Sequence, residues 1–150
     1  MWRAFSTRER APPFEYNANG GLGQVRDHID RILRNSANQG TLIIEVVEGS
    51  GDEPRFVQFT GGATGLEMDF PLVTPTQRKR EQAIRRFMAA HGQPVRTTID
   101  IDRTRSLDVD LPADASLVAD LTREVFTEVF AVSSDVRLRF SGENLGAAAT

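Results

Sequence analysis

The sequence predicts an α+β fold, with helices packed on a mainly antiparallel sheet. Three observations carry that expectation. Short runs with a strict two-residue apolar period alternate with stripes of helical period, and Gly- and Pro-rich breaks separate the runs. The order of elements is α-β-β-β-α-β-β-α with one further closing strand, which places neighbouring strands in hairpins and leaves the helices to cover a sheet.

The central stretch runs from Thr41 to Phe70 as TLIIEVVE, RFVQFT and GLEMDF. Leu42, Ile44 and Val46 share one face of the first run, Val57 and Phe59 one face of the second, and Leu66, Met68 and Phe70 one face of the third. This is the period of half-buried strands. The breaks GSGDEP and GGATG supply Gly49, Gly51 and Pro54, then Gly61, Gly62 and Gly65, residues suited to tight turns, so the stretch is a meander. Alternation puts Ile43, Val47 and Phe56 on the opposite face beside Glu45 and Gln58. A fully solvated antiparallel face would read polar throughout, so Ile43, Val47, Phe56 and Gln58 are the candidate peptide-binding residues.

The flanking helices follow from their own signals. Leu22, Val25, Ile29, Ile32 and Leu33 form one stripe of a first helix, which ends between Asn35 and Gly40. His28 sits beside the stripe and is assigned no chemistry. Thr74, Pro75 and Gln77 form a capping box with proline at the first helical position. The second helix then runs through QRKREQAIRRFMAAH, turns Ile84, Phe87 and Met88 inward, and stops at Gly92 with Pro94 beyond. Its arginines and Lys79 read as a solvated face. Val95, Thr97, Ile99 and Ile101, followed by Leu107, Val109 and Leu111, predict a hairpin that Pro112 ends. Asp114 or Ser116 caps a third helix with a wide apolar face from Leu117 to Phe130, and Val136, Leu138 and Phe140 suggest a closing strand.

At 150 residues the chain is the size of one domain. The expected division is a flexible arm over residues 1–20, one domain over 21–141 and a disordered tail over 142–150. Within the arm, Trp2 or Phe5 would dock on the body or on a second subunit. Cysteine is absent, which removes disulfides, thiolate metal sites and thiol nucleophiles and makes the cytoplasm the default compartment. No apolar run reaches the length of a membrane helix, and the first residues lack the apolar core of a secretory signal. A net charge of -3 argues against general nucleic-acid affinity.

Several of these residues resemble a known group, the small bacterial domains related to type III secretion chaperones and YbjN. The resemblance rests on Arg55 to Thr60, similar to that family's aromatic-Val-Gln-Phe strand, and on Gly65-Leu66-Glu67-Met68 leading through Leu72 into the second helix. The last helix running into Val129 to Val132 and the Val136 to Phe140 strand extends it, so that it covers Leu22 to Phe140. The second helix ends in His91-Gly92, where family members often carry Gly-Trp. The resemblance implies a secretion-chaperone-like fold and a non-enzymatic, often dimeric module that binds a peptide or protein; no cofactor, nucleic-acid or membrane partner is expected.

The one dense carboxylate group in the sequence is Asp100, Asp102, Asp108 and Asp110. In a hairpin these would share one sheet face, where like charges repel by about a kilocalorie per close pair in water. Oxygen-rich clusters suit Mg²⁺ or Ca²⁺, so the alternative function is a metal-dependent enzyme or sensor using these four residues. The plainer expectation is a solvated face balanced by nearby arginines, with no metal. No nucleotide-binding motif accompanies the cluster, and Gly20-Gly21-Leu22-Gly23 opens a helix with no strand expected before it. With His28 and His91 far apart, neither a Ser/His/Asp site nor a zinc site is supported.

Overall fold

The alternating runs assemble into a single sheet. The computed structural model describes residues 15–47 and 55–146. The expectations for Trp2 and Phe5 and for the turn at Gly49, Gly51 and Pro54 fall outside the described residues. The strands are β1 (Glu15–Gly20), β2 (Thr41–Val46), β3 (Phe56–Gly61), β4 (Gly65–Pro71), β5 (Arg96–Ile99), β6 (Arg105–Pro112) and β7 (Leu138–Glu143). All neighbours are antiparallel, in the order β1-β7-β2-β3-β4-β6-β5. Helices α1 (Val25–Arg34), α2 (Pro75–Lys79), α3 (Glu81–Ala90) and α4 (Ala115–Glu124) complete an α+β fold.

Register decides which face is covered. Leu42 lies opposite Phe59, Phe59 opposite Met68 and Met68 opposite Val109, so the expected inward residues form one continuous apolar surface. Val25, Ile29 and Ile32 of α1, Ile84, Phe87 and Met88 of α3, and Val118 and Leu121 of α4 are buried in the same core. One sheet face is therefore under helices and the other faces solvent.

Local signals hold where they were strong. The Thr74 hydroxyl accepts from the Gln77 amide at 3.1 Å, and the Gln77 side chain accepts from the Thr74 amide at 3.0 Å. Asp114 accepts from the Leu117 amide at 3.1 Å and caps α4. Thr74→Ala should lower stability by roughly 0.5 to 2 kcal/mol. The denaturant midpoint measures this, and an unmoved midpoint would show that the cap contributes nothing.

Several expectations are corrected. The arm does not extend to residue 20, because Glu15–Gly20 is strand β1, with Ala18 opposite Phe140. Its sequence, EYNANG, has no β-branched residue, and its partner lies far along the chain. A strand therefore does precede Gly20-Gly21-Leu22-Gly23, although it runs antiparallel to its neighbour. The tail does not begin at 142: β7 continues to Glu143, and Leu145 is fully buried. Gly142 permits this, since a Cβ there would lie 2.0 Å from the Thr41 carbonyl oxygen, and the Asn35 and Arg31 side chains donate to the Leu145 carbonyl at 2.9 and 3.0 Å.

The second helix is broken at Arg80 into α2 and α3. Residues 75–79 bury nothing, whereas α3 carries the whole apolar stripe. The first strand of the hairpin does not run from Val95 to Ile101: β5 is an edge strand over Arg96–Ile99, Ile99 is 65% exposed, and Ile101 is fully exposed in the turn after it. Two further corrections concern Val47 and the carboxylates.

Candidate binding face

Because the helices occupy one side, the solvent side can be read as cross-strand rows. One row runs Asn17, Ser141, Ile43, Gln58, Asp69, Asp108 and Arg96. On one side of it lie Glu143, Thr41, Thr60, Glu67 and Asp110. On the other, Asn19 pairs with Arg139, Arg139 with Glu45 and Glu45 with Phe56, and the β4–β6–β5 side is completed by Pro71, Ser106 and Thr98.

The structure brings Ile43, Phe56 and Gln58 together. Ile43 lies directly opposite Gln58, and Phe56 is its diagonal neighbour across the β2–β3 pair, both half-buried. Diagonal neighbours of this kind are within reach of an aromatic side chain. Val47 does not join them. It follows β2, its amide donates to the Arg137 carbonyl at 2.9 Å, and it borders a cavity shared with Asn19, Gly21, Ser134 and Arg137. Four residues along a strand separate it from Ile43 by about 13 Å. The face is also more polar than the central strands alone suggest, because β7, β4 and β6 bring charged residues to it.

The expected group of four aspartates does not form. Only Asp108 and Asp110 lie on the sheet face, while Asp100 and Asp102 organise the turn between β5 and β6. There the Asp100 amide donates to the Thr104 carbonyl at 2.8 Å, and the Thr104 hydroxyl donates to Asp102 at 2.7 Å. The hairpin is shorter than the alternation implied, since β5 ends at Ile99. The carboxyl group that does assemble is Glu67, Asp69 and Asp108, each offering an oxygen within 4.8 Å of the others. Sequence reasoning passed over Glu67 and Asp69. The available signal was the alternation in β4, which turns both of them outward, combined with the requirement that β4 find a further partner.

Asp69 and Asp108 are directly opposed on β4 and β6, and their environments differ. Burial, the hydrogen bond with Asp108 and the charges of Glu67 and Asp108 push Asp69 up to about 9. Burial also pushes Asp108 up, but hydrogen bonds from Asp69, Thr98 and Ser106, with the Arg96 charge, outweigh it and hold Asp108 below the ordinary carboxylate value. The two carboxyl groups therefore hold one proton between them, with Asp69 the more basic partner. The hydroxyls of Thr98 and Ser106 donate to Asp108, the second at 3.0 Å, whereas the buried Asp69 Oδ1 has no hydrogen-bond partner. Two facing carboxyl groups sharing one proton avoid the repulsion of two close negative charges. Arg96 binds Glu67 at 2.7 Å and Asp110 at 2.8 Å, bridging β5 to β4 and β6.

Neither histidine is near this group. His28 is buried against Phe140, with ring centroids 3.9 Å apart, and hydrogen-bonds the Tyr16 hydroxyl at 2.7 Å. Burial lowers its basicity and favours the neutral ring. His91 ends α3 and contacts Glu124 at 2.9 Å, joining that helix to α4. Comparison of the chain with family models, with curated proteins and with solved structures finds no match.

Proposed function

We propose that the protein is a non-enzymatic peptide- or protein-binding module that works through the solvent face of its sheet, as the resemblance to secretion chaperones and YbjN implies. The observation that supports this reading is the adjacent pair Ile43 and Phe56, apolar side chains on the face that no helix covers. Gln58 beside them offers amide donors and an acceptor to an extended backbone. Among the described residues, no helix is long and apolar enough to cross a membrane, and the expected partner is a peptide or protein, including a second copy of the chain.

Ile43→Asp combined with Phe56→Asp is expected to lower partner capture at least tenfold while leaving the thermal unfolding transition in place, since both side chains lie outside the core. Pull-down from the native host and light scattering measure the two arms. Unchanged partners and unchanged mass would remove the residue-level basis of this reading.

A second reading, a Mg²⁺- or Ca²⁺-dependent enzyme or sensor, draws on Glu67, Asp69 and Asp108 in place of the four aspartates, because their oxygens lie within 4.8 Å of one another. A cation that binds only the folded state raises the unfolding temperature at saturation. An identical transition in EDTA and in excess Mg²⁺ or Ca²⁺ rules it out.

A further inference from the structure

The solvent face of the sheet is divided in charge. On the β4–β6 side, Glu67 and the exposed Asp110, with the buried Asp108 behind them, face one guanidinium among the described residues, Arg96, which is engaged with Glu67 and Asp110. On the β7 side, Arg139 lies opposite Glu45 and 3.7 Å from it, and Arg137 follows opposite Val47. Ile43 and Phe56 lie between the two regions.

We propose that this face takes an extended segment of another protein carrying an apolar residue and, about four positions away, an arginine or lysine. The apolar side chain lies on Ile43 and Phe56, and the cation lies toward β4 and β6. The inference rests on the reading of this face as a binding surface and adds the chemical class of the partner.

Spacing supports the pattern. From β2 to β6 there are three strand steps, or about 14 Å at ~4.8 Å each. Four residues of extended chain span about 13 Å, and residues four apart point to the same side. A segment laid across the strands therefore presents its anchor over Ile43 and its cation over the Asp69–Asp108 pair, within a basic side chain's reach of the exposed Asp110. Such charge complementarity fixes orientation and rejects partners of the wrong sign more than it raises affinity.

The test is selection of binders to the full-length protein from a library of random dodecapeptides displayed on phage. Recovered sequences should combine an apolar residue with a basic one about four positions away, and recovery should fail against Ile43→Asp. Replacing the basic residue of a recovered peptide by glutamine should weaken binding about tenfold at low salt, with a smaller loss at high salt. Changing the peptide leaves folding of the protein out of the comparison. Ile43-dependent binders without a basic preference would overturn the inference and leave the binding-face reading intact. No Ile43-dependent binder would overturn both. Two outcomes would assign the face to another occupant and overturn the foreign partner: displacement of every recovered peptide by a synthetic peptide of residues 1–14, or a dimer by light scattering that Ile43→Asp dissociates.

Discussion

Phe59→Ala is expected to destabilise the domain by about 3 to 5 kcal/mol, enough to unfold most of a marginally stable chain. Phe59 is fully buried between Leu42 and Met68 on the helix-covered face of the sheet, so truncation leaves a cavity in close-packed surroundings. Phe56, three residues earlier on the same strand, points the other way and is half-buried. It borders a small cavity with Phe70, Ile84 and Phe130 at the end of the sheet, so its replacement by alanine widens that cavity but should cost only about 1 kcal/mol, well below the loss at Phe59. Urea titrations of the two variants measure the contrast, and equal losses would show that β3 is paired in the wrong register.

Asp69→Asn should stabilise the protein at neutral and alkaline pH and do little at pH 4. In the unfolded chain this carboxyl ionises near 3.8, whereas in the folded state it holds its proton to about 9. Its contribution is therefore fully present below pH ~4 and declines as pH rises toward ~9, where the unfolded chain binds fewer protons than the folded one. Asparagine keeps a donor directed at Asp108 without a proton to lose. Discounted for partial solvent exposure, the gain at pH 8 is on the order of 1 to 3 kcal/mol. Thermal unfolding of both proteins from pH 4 to pH 9 measures it. Parallel stability curves would refute the shared proton.

Much of the fold was legible because its signals are local. The alternation of Leu42, Ile44 and Val46, the Thr74-Pro75-Gln77 cap and the Asp114 cap each depend on a few neighbouring residues, and each appears as expected. What was not legible depends on distant partners. Tyr16 to Gly20 becomes a strand because Leu138 to Gly142 offers it a hydrogen-bonded edge, and nothing in EYNANG announces that. Leu145 reads as tail until Asn35 and Arg31 are placed against its carbonyl. The same limit governs the face. Ile43, Phe56 and Gln58 could be gathered from adjacent strands, but Asp69 meets Asp108 only once β6 has paired with β4, an order that skips β5. Val47 was grouped with them by alternation, which gives the side of a strand and not the distance along it.

The position of β7 between β1 and β2 has a consequence for synthesis. Strands β2, β3 and β4 are joined in sequence and can pair as they emerge from the ribosome, but the other edge of β2 waits for Leu138 to Glu143. At about 5 to 20 residues per second that wait lasts roughly 5 to 20 s. Throughout it, the apolar strand TLIIEV presents an open row of backbone donors and acceptors, the kind of edge on which nascent chains misassociate. During translation the vulnerable part of this protein is therefore the middle of its finished sheet, because the residues that close it are made long after it.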